Sequence, residues 1–326
     1  TDTGETGWGE APATAPITGD TLHGIACAVR DHIAPRIRGL EIERLEQATD
    51  AVQNALVHNT SAKAAVDIAL HDLYGKRWGA PLWSLLGGWR SEVETDVTIS
   101  LNDPATMERD ARQAIQDGFR ILKVKVGTDA EDLRRVEVVR QAAGPDAVIR
   151  VDANQGWTPK QAVRLIREME ARGLELELVE QPVPAADLEG LKFVTDHVRT
   201  DILADEAVFG LRDAVRLIRM RAADRINLKL MKTGGITGAV KICALAEEFG
   251  IRCMMGCMLE ANVAVTAAAH LAAAKKNISL ADLDGPALCA ADPVRGGARF
   301  EGGRITLPNA PGLGIARIEG LVPYPG

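Results

Sequence analysis

Three acidic residues in the middle of this sequence each end a short apolar run. Asp152 closes the run VIRVD, Glu180 closes LELVE and Asp205 closes ILAD. The intervals of about 28 and 25 residues leave room for a strand, a turn, a helix and a turn between one acid and the next. If the runs are adjacent parallel strands, the three carboxylates meet at one edge of the sheet. Mg²⁺ prefers such oxygen ligands and keeps positions for water or substrate, so the sequence predicts a divalent-cation site.

Lysines occupy the matching places in the runs on either side of the acids. ILKVK carries Lys123 and Lys125, and INLK carries Lys229. A lysine must be neutral to act as a base, and a second ammonium group together with a metal ion lowers its pKa. A substrate carboxylate neutralised by the cation can accept more charge as an enediolate, which makes its α-proton removable. Two bases on opposite faces of that carbon would remove one proton and return another, which inverts the centre.

A second acidic pair, Asp282 and Asp284, lies in the run ISLADLDGP. The two side chains face the same way in an extended strand, so they are candidates for receiving a cationic group. The alternative is a solvated strand end followed by a turn. The glycine-rich run TGGITG at 233–238 is interpreted as a turn into a helix and not as a phosphate site. Because no histidine ends a barrel strand and the G-x-S-x-G motif is missing from the sequence, a hydrolytic triad is disfavoured.

Strand and helix patterns alternate from residue 93 onward. The predicted strands are 97–101, 121–126, 147–152, 177–180, 202–205, 225–230, 252–257 and 278–283. The predicted helices are 104–117, 129–143, 159–173, 187–198, 211–222, 238–249 and 262–276. Eight such units fit a closed parallel α/β barrel, with its chemistry at the carboxyl ends of the strands. The alternative, an open doubly wound sheet, does not gather acids from three successive strands and lysines from the two beside them.

The residues before the barrel have a helical pattern from about 17 to 86. Thr18 and Asp20 are predicted N-caps of one helix, and Ser61 is that of another, which we expect to end at Gly75. The first ten residues read as the turn and second strand of a hairpin, which indicates that further residues precede them.

The chain is therefore predicted to be an α/β protein with three parts. We expect an α+β capping domain at 1–92, a catalytic TIM-like barrel at 93–292, and a segment at 293–326 that returns to the capping domain. The first alternating strand of the barrel is expected within the stretch 93–100.

Composition restricts the partners and the compartment. The 326 residues are 46% hydrophobic and 25% charged, which is typical of a soluble globular protein. A formal net charge of −7 argues against nucleic acid or an anionic membrane as a partner. We expect no signal peptide, and every apolar run is shorter than the roughly 20 residues that span a bilayer. Five scattered cysteines are interpreted as reduced, buried thiols. We expect a cytoplasmic protein that acts on a small molecule, with a homo-oligomeric state left open.

Five motifs in order along the barrel resemble those of the enolase superfamily. They are KVKVG from Lys123, DAN from Asp152, EQP from Glu180, ADE around Asp205 and NLKLMKTGG around Lys229. The pattern is similar to the muconate-lactonizing subgroup and, within it, to dipeptide epimerases of the L-Ala-D/L-Glu epimerase type. The helical stretch before the barrel resembles the capping domain of that subgroup.

The resemblance implies a role for each residue of these motifs. Asp152, Glu180 and Asp205 are expected to bind Mg²⁺, with Mn²⁺ as a substitute, and Lys125 and Lys229 to be the two acid/base catalysts. Lys123 is expected to help bind the substrate carboxylate and to tune Lys125. The pair Asp282 and Asp284 matches an epimerase-specific D-x-D that receives the α-ammonium group of a dipeptide.

The expected function is a Mg²⁺-dependent dipeptide epimerase that inverts the α-carbon of the C-terminal residue of an L,L/L,D dipeptide. The alternative is an o-succinylbenzoate synthase, N-acylamino acid racemase or muconate cycloisomerase on the same scaffold, whose substrates lack a free α-ammonium group. A catalytically silent barrel is disfavoured because every catalytic residue is present. The C-terminal side chain of the dipeptide is expected near Thr98 and Leu259. Neither is charged, which leaves the preferred side chain open.

Overall fold

A barrel of eight parallel strands forms the centre of the protein. The computed structural model describes residues 1–128 and 130–324. The barrel strands are β1 (Val97–Ile99), β2 (Ile121–Lys125), β3 (Val148–Asp152), β4 (Leu176–Glu180), β5 (Asp201–Ala204), β6 (Arg225–Lys229), β7 (Arg252–Gly256) and β8 (Ile278–Asp282). They are hydrogen-bonded to one another in chain order, which confirms the predicted α/β barrel.

Side chains bridge the seam between the first and the last strand. The amide of Thr98 donates to the Asp284 carboxylate at 2.7 Å. The amide of Leu283 donates to the hydroxyl of Thr95, also at 2.7 Å. These two bonds tie the end of β8 to the start of β1 and hold the barrel nearly closed.

Helices cover the outside of the barrel. They are Pro104–Gln116, Asp132–Ala143, Pro159–Ala171, Leu188–His197, Leu211–Met220, Leu230–Thr233, Ile236–Glu248 and Asn262–Ala274. Outward-facing strand residues such as Val124, Val151 and Ile226 are buried against them in the main core. Most predicted bounds agree within two residues. The predicted start at Asp129 lies outside the described residues.

Inside the barrel, the apolar filling is small. Leu178, Leu203 and Met254 form a separate inner cluster with Leu280 packed against it. The remaining inner positions of the upper layers carry charged side chains, which is how the fold delivers them to the mouth.

Seven helices of different lengths precede the barrel. They are Ala15–Thr18, Leu22–Cys27, the π-helical Ala28–Ile33, Ala34–Ile37, Leu45–Gln53, Thr60–Arg77 and Leu82–Leu85. They enclose a second core that includes Ile33, Val52 and Leu70. No helix in the described parts of the chain is long and apolar enough to cross a membrane.

The predicted caps of these helices are wrong, because tertiary contacts use the residues differently. Thr21 caps the helix Leu22–Cys27, whereas Asp20 accepts a hydrogen bond from the Ser61 amide at 3.0 Å. The second helix begins at Thr60, one residue before Ser61. It continues through Gly75 to Arg77, since Gly75 is needed there for a close approach to another segment.

The stretch 93–100 is two strands and not one. Glu92–Glu94 pairs antiparallel with Arg304–Thr306, which in turn pairs with Arg299–Glu301. Only Val97–Ile99 belongs to the barrel. Thr95 and Asp96 are consecutive and both fully buried, which breaks the alternation expected of one strand.

The two ends of the chain pack on the helices before the barrel. Residues 5–14 make no strand pairing with other described residues. The predicted hairpin needs a partner strand before residue 1, so it stays a prediction. The amide of Trp8 donates to Asp72 at 2.9 Å. The C-terminal segment contains the 3₁₀ turn Gly285–Leu288 and the paired strands Val294–Gly296 and Ile315–Ile318. Between these two strands, the amide of Leu313 donates to the same Asp72 carboxylate. The division at residues 92 and 292 stays a prediction.

Candidate active site

The three predicted acids lie side by side at the carboxyl ends of β3, β4 and β5. Asp152 is in register with Glu180 across β3 and β4, and Asp205 directly follows β5. All three side chains are almost completely buried. Strand order therefore brings together carboxylates that are far apart in the sequence.

Lys123 lies between these acids and the second acidic pair. Its Nζ atom is 2.8 Å from Glu180 and 3.1 Å from Asp152, and it donates to Asp282 at 2.7 Å. Burial alone would lower the pKa of this ammonium group, but the surrounding carboxylates outweigh burial and raise its pKa well above the usual value. The expected lowering of a lysine pKa required a metal ion beside the second ammonium group, and it stays a prediction.

Lys125 and Lys229 approach the acids from opposite sides. Lys125, at the end of β2, donates to Asp152 at 2.7 Å and to Asn154 at 3.0 Å. Lys229, at the end of β6, donates to Asp205 at 2.8 Å. Burial would lower the pKa of Lys229, but Asp205 leads the carboxylates that raise it above its usual value. The Lys125 side chain is 27% exposed and Lys229 only 8%, so the first faces the opening of the barrel.

The pKa values of Glu180 and Asp205 are shifted in opposite directions by their surroundings. Burial, followed by repulsion from Asp152 and Asp205, raises the pKa of Glu180 to about 7. The pKa of Asp205 is lowered despite burial, because Lys229 and Lys232 lie against it. A cation bound among these carboxylates would favour the ionised form of Glu180.

The donor set suits a hard divalent cation. Three buried carboxylates from adjacent strands supply oxygen ligands only. Among the described residues, no three acidic, His or Cys side chains converge on one point closely enough to hold a metal ion. The carboxylate oxygens of the three acids instead face the ammonium groups of Lys123, Lys229 and Lys232.

Asp282 and Asp284 both lie at the barrel mouth, with different partners. Asp282 accepts from Lys123, and Asp284 accepts from the Thr98 amide. Burial would raise the pKa of Asp282, but Lys123 lowers it to about 2. Burial and the charge of Asp282 raise the pKa of Asp284. The pair is thus built from one strongly ionised carboxylate and one whose ionisation is opposed.

Thr98 and Leu259, the residues predicted to lie near the C-terminal side chain of the dipeptide, have different surroundings. Thr98 lies in β1 and holds Asp284 through its amide. Leu259 lies in the turn after β7 with 76% of its side chain exposed, outside the buried group of charges.

Comparison with known proteins shows the family. The family model "Enolase C-terminal domain-like" matches residues 106–319, and "Mandelate racemase / muconate lactonizing enzyme, N-terminal domain" matches residues 1–87. The chain belongs to this family of the enolase superfamily. As in its relatives, which are named epimerases and racemases, its activity is that of an isomerase.

Relatives within this enolase-superfamily family are similar over almost the whole chain. L-Ala-D/L-Glu epimerase of Clostridium acetobutylicum is 54% identical over 98% of this chain and 89% of the relative. A substrate-liganded structure of the L-Ala-D/L-Glu epimerase from Bacillus subtilis superposes with a TM-score of 0.96 at 47% identity, covering 97% and 89% of the two chains. The dipeptide epimerase from Enterococcus faecalis, complexed with Mg and L-Leu-L-Tyr, gives a TM-score of 0.94 at 43% identity, covering 97% and 90%.

Lys232 is a residue of this enolase-type barrel that the sequence analysis missed. It is fully buried and donates to the Asp205 carboxylate at 2.5 Å, to the Asp205 carbonyl at 2.6 Å and to the Asn227 carbonyl at 2.9 Å. The helical turn Leu230–Thr233 carries it back towards the strand end. The available signal was its place in the motif NLKLMKTGG, directly after the predicted strand.

A buried arginine below the acids was also missed. Arg150 is 2% exposed and donates to Asp96 at 2.8 Å and to Glu177 at 2.6 Å. It precedes Asp152 by two residues on the same strand, so the period of two points both side chains into the barrel. The signal was present, but an arginine is usually assigned to the surface.

The backbone beside the acids is strained. Asn154 and Gln181 have positive φ angles of 39° and 33°, and Gln155 has 68°. Asn154 is positioned to touch Lys125, and Gln181 accepts from the Asp205 amide at 2.9 Å. Such strain is retained where surrounding contacts over-determine the conformation, as they do here.

Proposed function

We propose that the protein is a Mg²⁺-dependent dipeptide epimerase that inverts the α-carbon of the C-terminal residue of an L,L/L,D dipeptide. One observation carries the proposal: Lys125 and Lys229 come from the strands on either side of the three acid-bearing strands, each against the nearest carboxylate. Two amines that face one carbon from opposite sides suit a 1,1-proton transfer with inversion. The names of the relatives support the dipeptide as the substrate.

Asp152, Glu180 and Asp205 would hold the cation. When bound, a divalent ion supplies positive charge that stabilises the negative charge developing on the substrate carboxylate as its α-proton leaves. The raised pKa of Glu180, which comes first from burial and then from repulsion by Asp152, fits this role because a bound cation would favour its ionised form.

The two lysines divide the proton transfer. Lys125 removes the α-proton of one epimer and Lys229 returns a proton to the opposite face, and the roles exchange in the reverse direction. One lysine must be neutral and the other protonated at the start of each turnover. Asp205 is the carboxylate that most favours the protonated form of Lys229, so compensating charge at Asp205 brings Lys229 closer to base competence.

Asp282 and Asp284 bind the α-ammonium group, and Lys123 binds the carboxylate being activated. Asp282 stays ionised because Lys123 lowers its pKa, so it is the stronger partner for a cation. The pair separates this proposal from the alternative reactions of the same scaffold, whose substrates carry no free ammonium group.

The test is a substrate panel with purified full-length protein. L-Ala-L-Glu, L-Leu-L-Tyr and N-succinyl amino acids would be incubated with Mg²⁺, with Mn²⁺ and with EDTA, and epimers separated by chromatography. We expect dipeptide epimers with either metal and none in EDTA. Faster racemisation of N-succinyl amino acids than of every dipeptide would favour the N-acylamino acid racemase instead, and full activity in EDTA would contradict the cation.

A further inference from the structure

A cavity lies between the helices before the barrel and the barrel loops. It has a volume of about 630 Å³ and is lined from one side by Thr60 and Lys63, and from the other by the loops after β4 and β5. Among the described residues, neither Lys125, Lys229 nor Asp282 lines it. The cavity is therefore beside the barrel mouth and not part of it.

Lys63 is a buried cation on this cavity with no protein partner. The residue is only 7% exposed, and its ammonium group makes no hydrogen bond or ion pair with any residue in the described ranges 1–128 and 130–324. Burial lowers the pKa of its ammonium group. Buried charges in proteins are normally paired, because leaving water without a compensating contact is costly. A partner from solution would supply that contact.

Two arginines face Lys63 across the cavity. Arg212 and Arg216 are one helical turn apart on Leu211–Met220 and both line the space. Neither makes an ion pair with any described residue.

Two acidic residues, Glu206 and Asp213, also line the cavity. The Asp213 carboxylate accepts the amides of Phe209 and Gly210 at 3.1 and 3.0 Å. Lys232, at the inner end, is held by Asp205. One Glu206 oxygen accepts from Asn154 at 3.4 Å, and the other has no hydrogen-bond partner among the described residues. Three cationic groups, those of Lys63, Arg212 and Arg216, therefore share the cavity with one partly engaged carboxylate.

We propose that this cavity binds a small oxyanion, a phosphate- or carboxylate-bearing molecule, on Lys63, Arg212 and Arg216. The anion joins the helix Thr60–Arg77 to the helix Leu211–Met220 and so clamps the capping helices on the barrel. The inference does not depend on the proposed reaction, since binding requires neither a dipeptide nor a catalytic lysine.

The test is thermal unfolding of the full chain with inorganic phosphate or with succinate, each against NaCl at equal ionic strength. We expect a saturable rise in Tm of at least about 2 °C with one of the two anions, because a ligand that binds only the folded state stabilises it. The anion that binds more tightly identifies the source of the oxyanion. No rise beyond that in NaCl with either anion would overturn the site.

Variants locate the binding. Arg216→Gln and Lys63→Met should each weaken the anion at least about tenfold, as expected when one charge-assisted hydrogen bond is lost. Arg219→Gln is the matched control, since Arg219 lies exposed on the same helix, does not line the cavity and changes the net charge equally. Because Arg216 is exposed, its variant tests the site even where Lys63→Met affects folding. Equal binding by the Arg216 and Arg219 variants would overturn the proposal.

Discussion

Asp282 and Asp284 are separated by one residue but have different hydrogen-bond partners in the folded protein. Asp282 holds Lys123, while Asp284 closes the barrel seam through the Thr98 amide. Either carboxylate can also receive an ammonium group, but loss of Asp282 removes a partner of Lys123 as well. The two positions should therefore respond differently to the same amide substitution.

At the residue scale, Asp282→Asn should lower kcat/KM for a dipeptide by about one to two orders of magnitude, since a charge-assisted hydrogen bond contributes about 1.5–3 kcal/mol. Asp284→Asn should lower it by about tenfold. Both losses should shrink for an N-acylated analogue, which presents no cation. Steady-state kinetics with the two substrates measure this, with Asp110→Asn on an exposed helix face as the control. Equal losses for both substrates would refute the ammonium assignment.

The elements themselves follow from local sequence far better than their ends do. The βα repeat is a local pattern of apolar runs and amphipathic segments, so all eight barrel strands were predictable and their order gathered the acids. Helix ends depended on partners that are distant in the sequence. Asp20, for example, does not cap the helix that follows it, because its carboxylate accepts the amide of Ser61, 41 residues away. The break at Thr95 and Asp96 was equally non-local, because both side chains are buried by contacts across the barrel seam and interior.

The helix Thr60–Arg77 offers a test at the element scale. Alanine is normally about 1 kcal/mol better than glycine inside a helix. At Gly75, however, an added Cβ would lie 2.5 Å from the Cα atom of Gly312. Gly75→Ala should therefore destabilise the protein by about 1–3 kcal/mol, the usual cost of overpacking.

Denaturant unfolding measures the effect of Gly75→Ala, with Gly24→Ala as the control. Gly24 is also helical, and its added Cβ would meet only the Thr21 hydroxyl, at 3.1 Å. A Gly75 variant as stable as the wild type would show that the segment around Gly312 can move away without cost. The close approach of Gly75 and Gly312 would then not fix the position of the C-terminal segment.

At the scale of the whole molecule, a neutral histidine joins the capping helices to the barrel. The amide of Trp83 donates to Nδ1 of His270 at 3.0 Å, in the centre of the buried helix Asn262–Ala274. Burial lowers the pKa of His270 to about 3. Because the unfolded state binds the proton near pH 6.5, the contribution of His270 is complete above that pH and is lost as pH falls towards 3.

Replacing this histidine should remove that pH dependence. Between pH 7 and pH 4.5 the free energy of unfolding of the wild type should fall by about 2–3 kcal/mol more than that of His270→Gln, at about 1.4 kcal/mol for each pH unit. Denaturant unfolding of both proteins at several pH values gives the difference directly, since the other titrating groups are common to both. Parallel curves would mean that His270 is not held neutral.

The most direct test of the two-base mechanism follows the α-proton in D₂O. Wild-type protein with Mg²⁺ should place deuterium on the α-carbon of both epimers of its dipeptide. Lys125→Ala and Lys229→Ala should each form product at least about 10²-fold more slowly, and each should exchange the α-proton of one epimer only, a different one in each variant. Lys160→Ala, at an exposed position, should behave as the wild type. Near wild-type epimerisation by either catalytic-lysine variant, or exchange of the same epimer by both, would contradict the assignment of one base to each face.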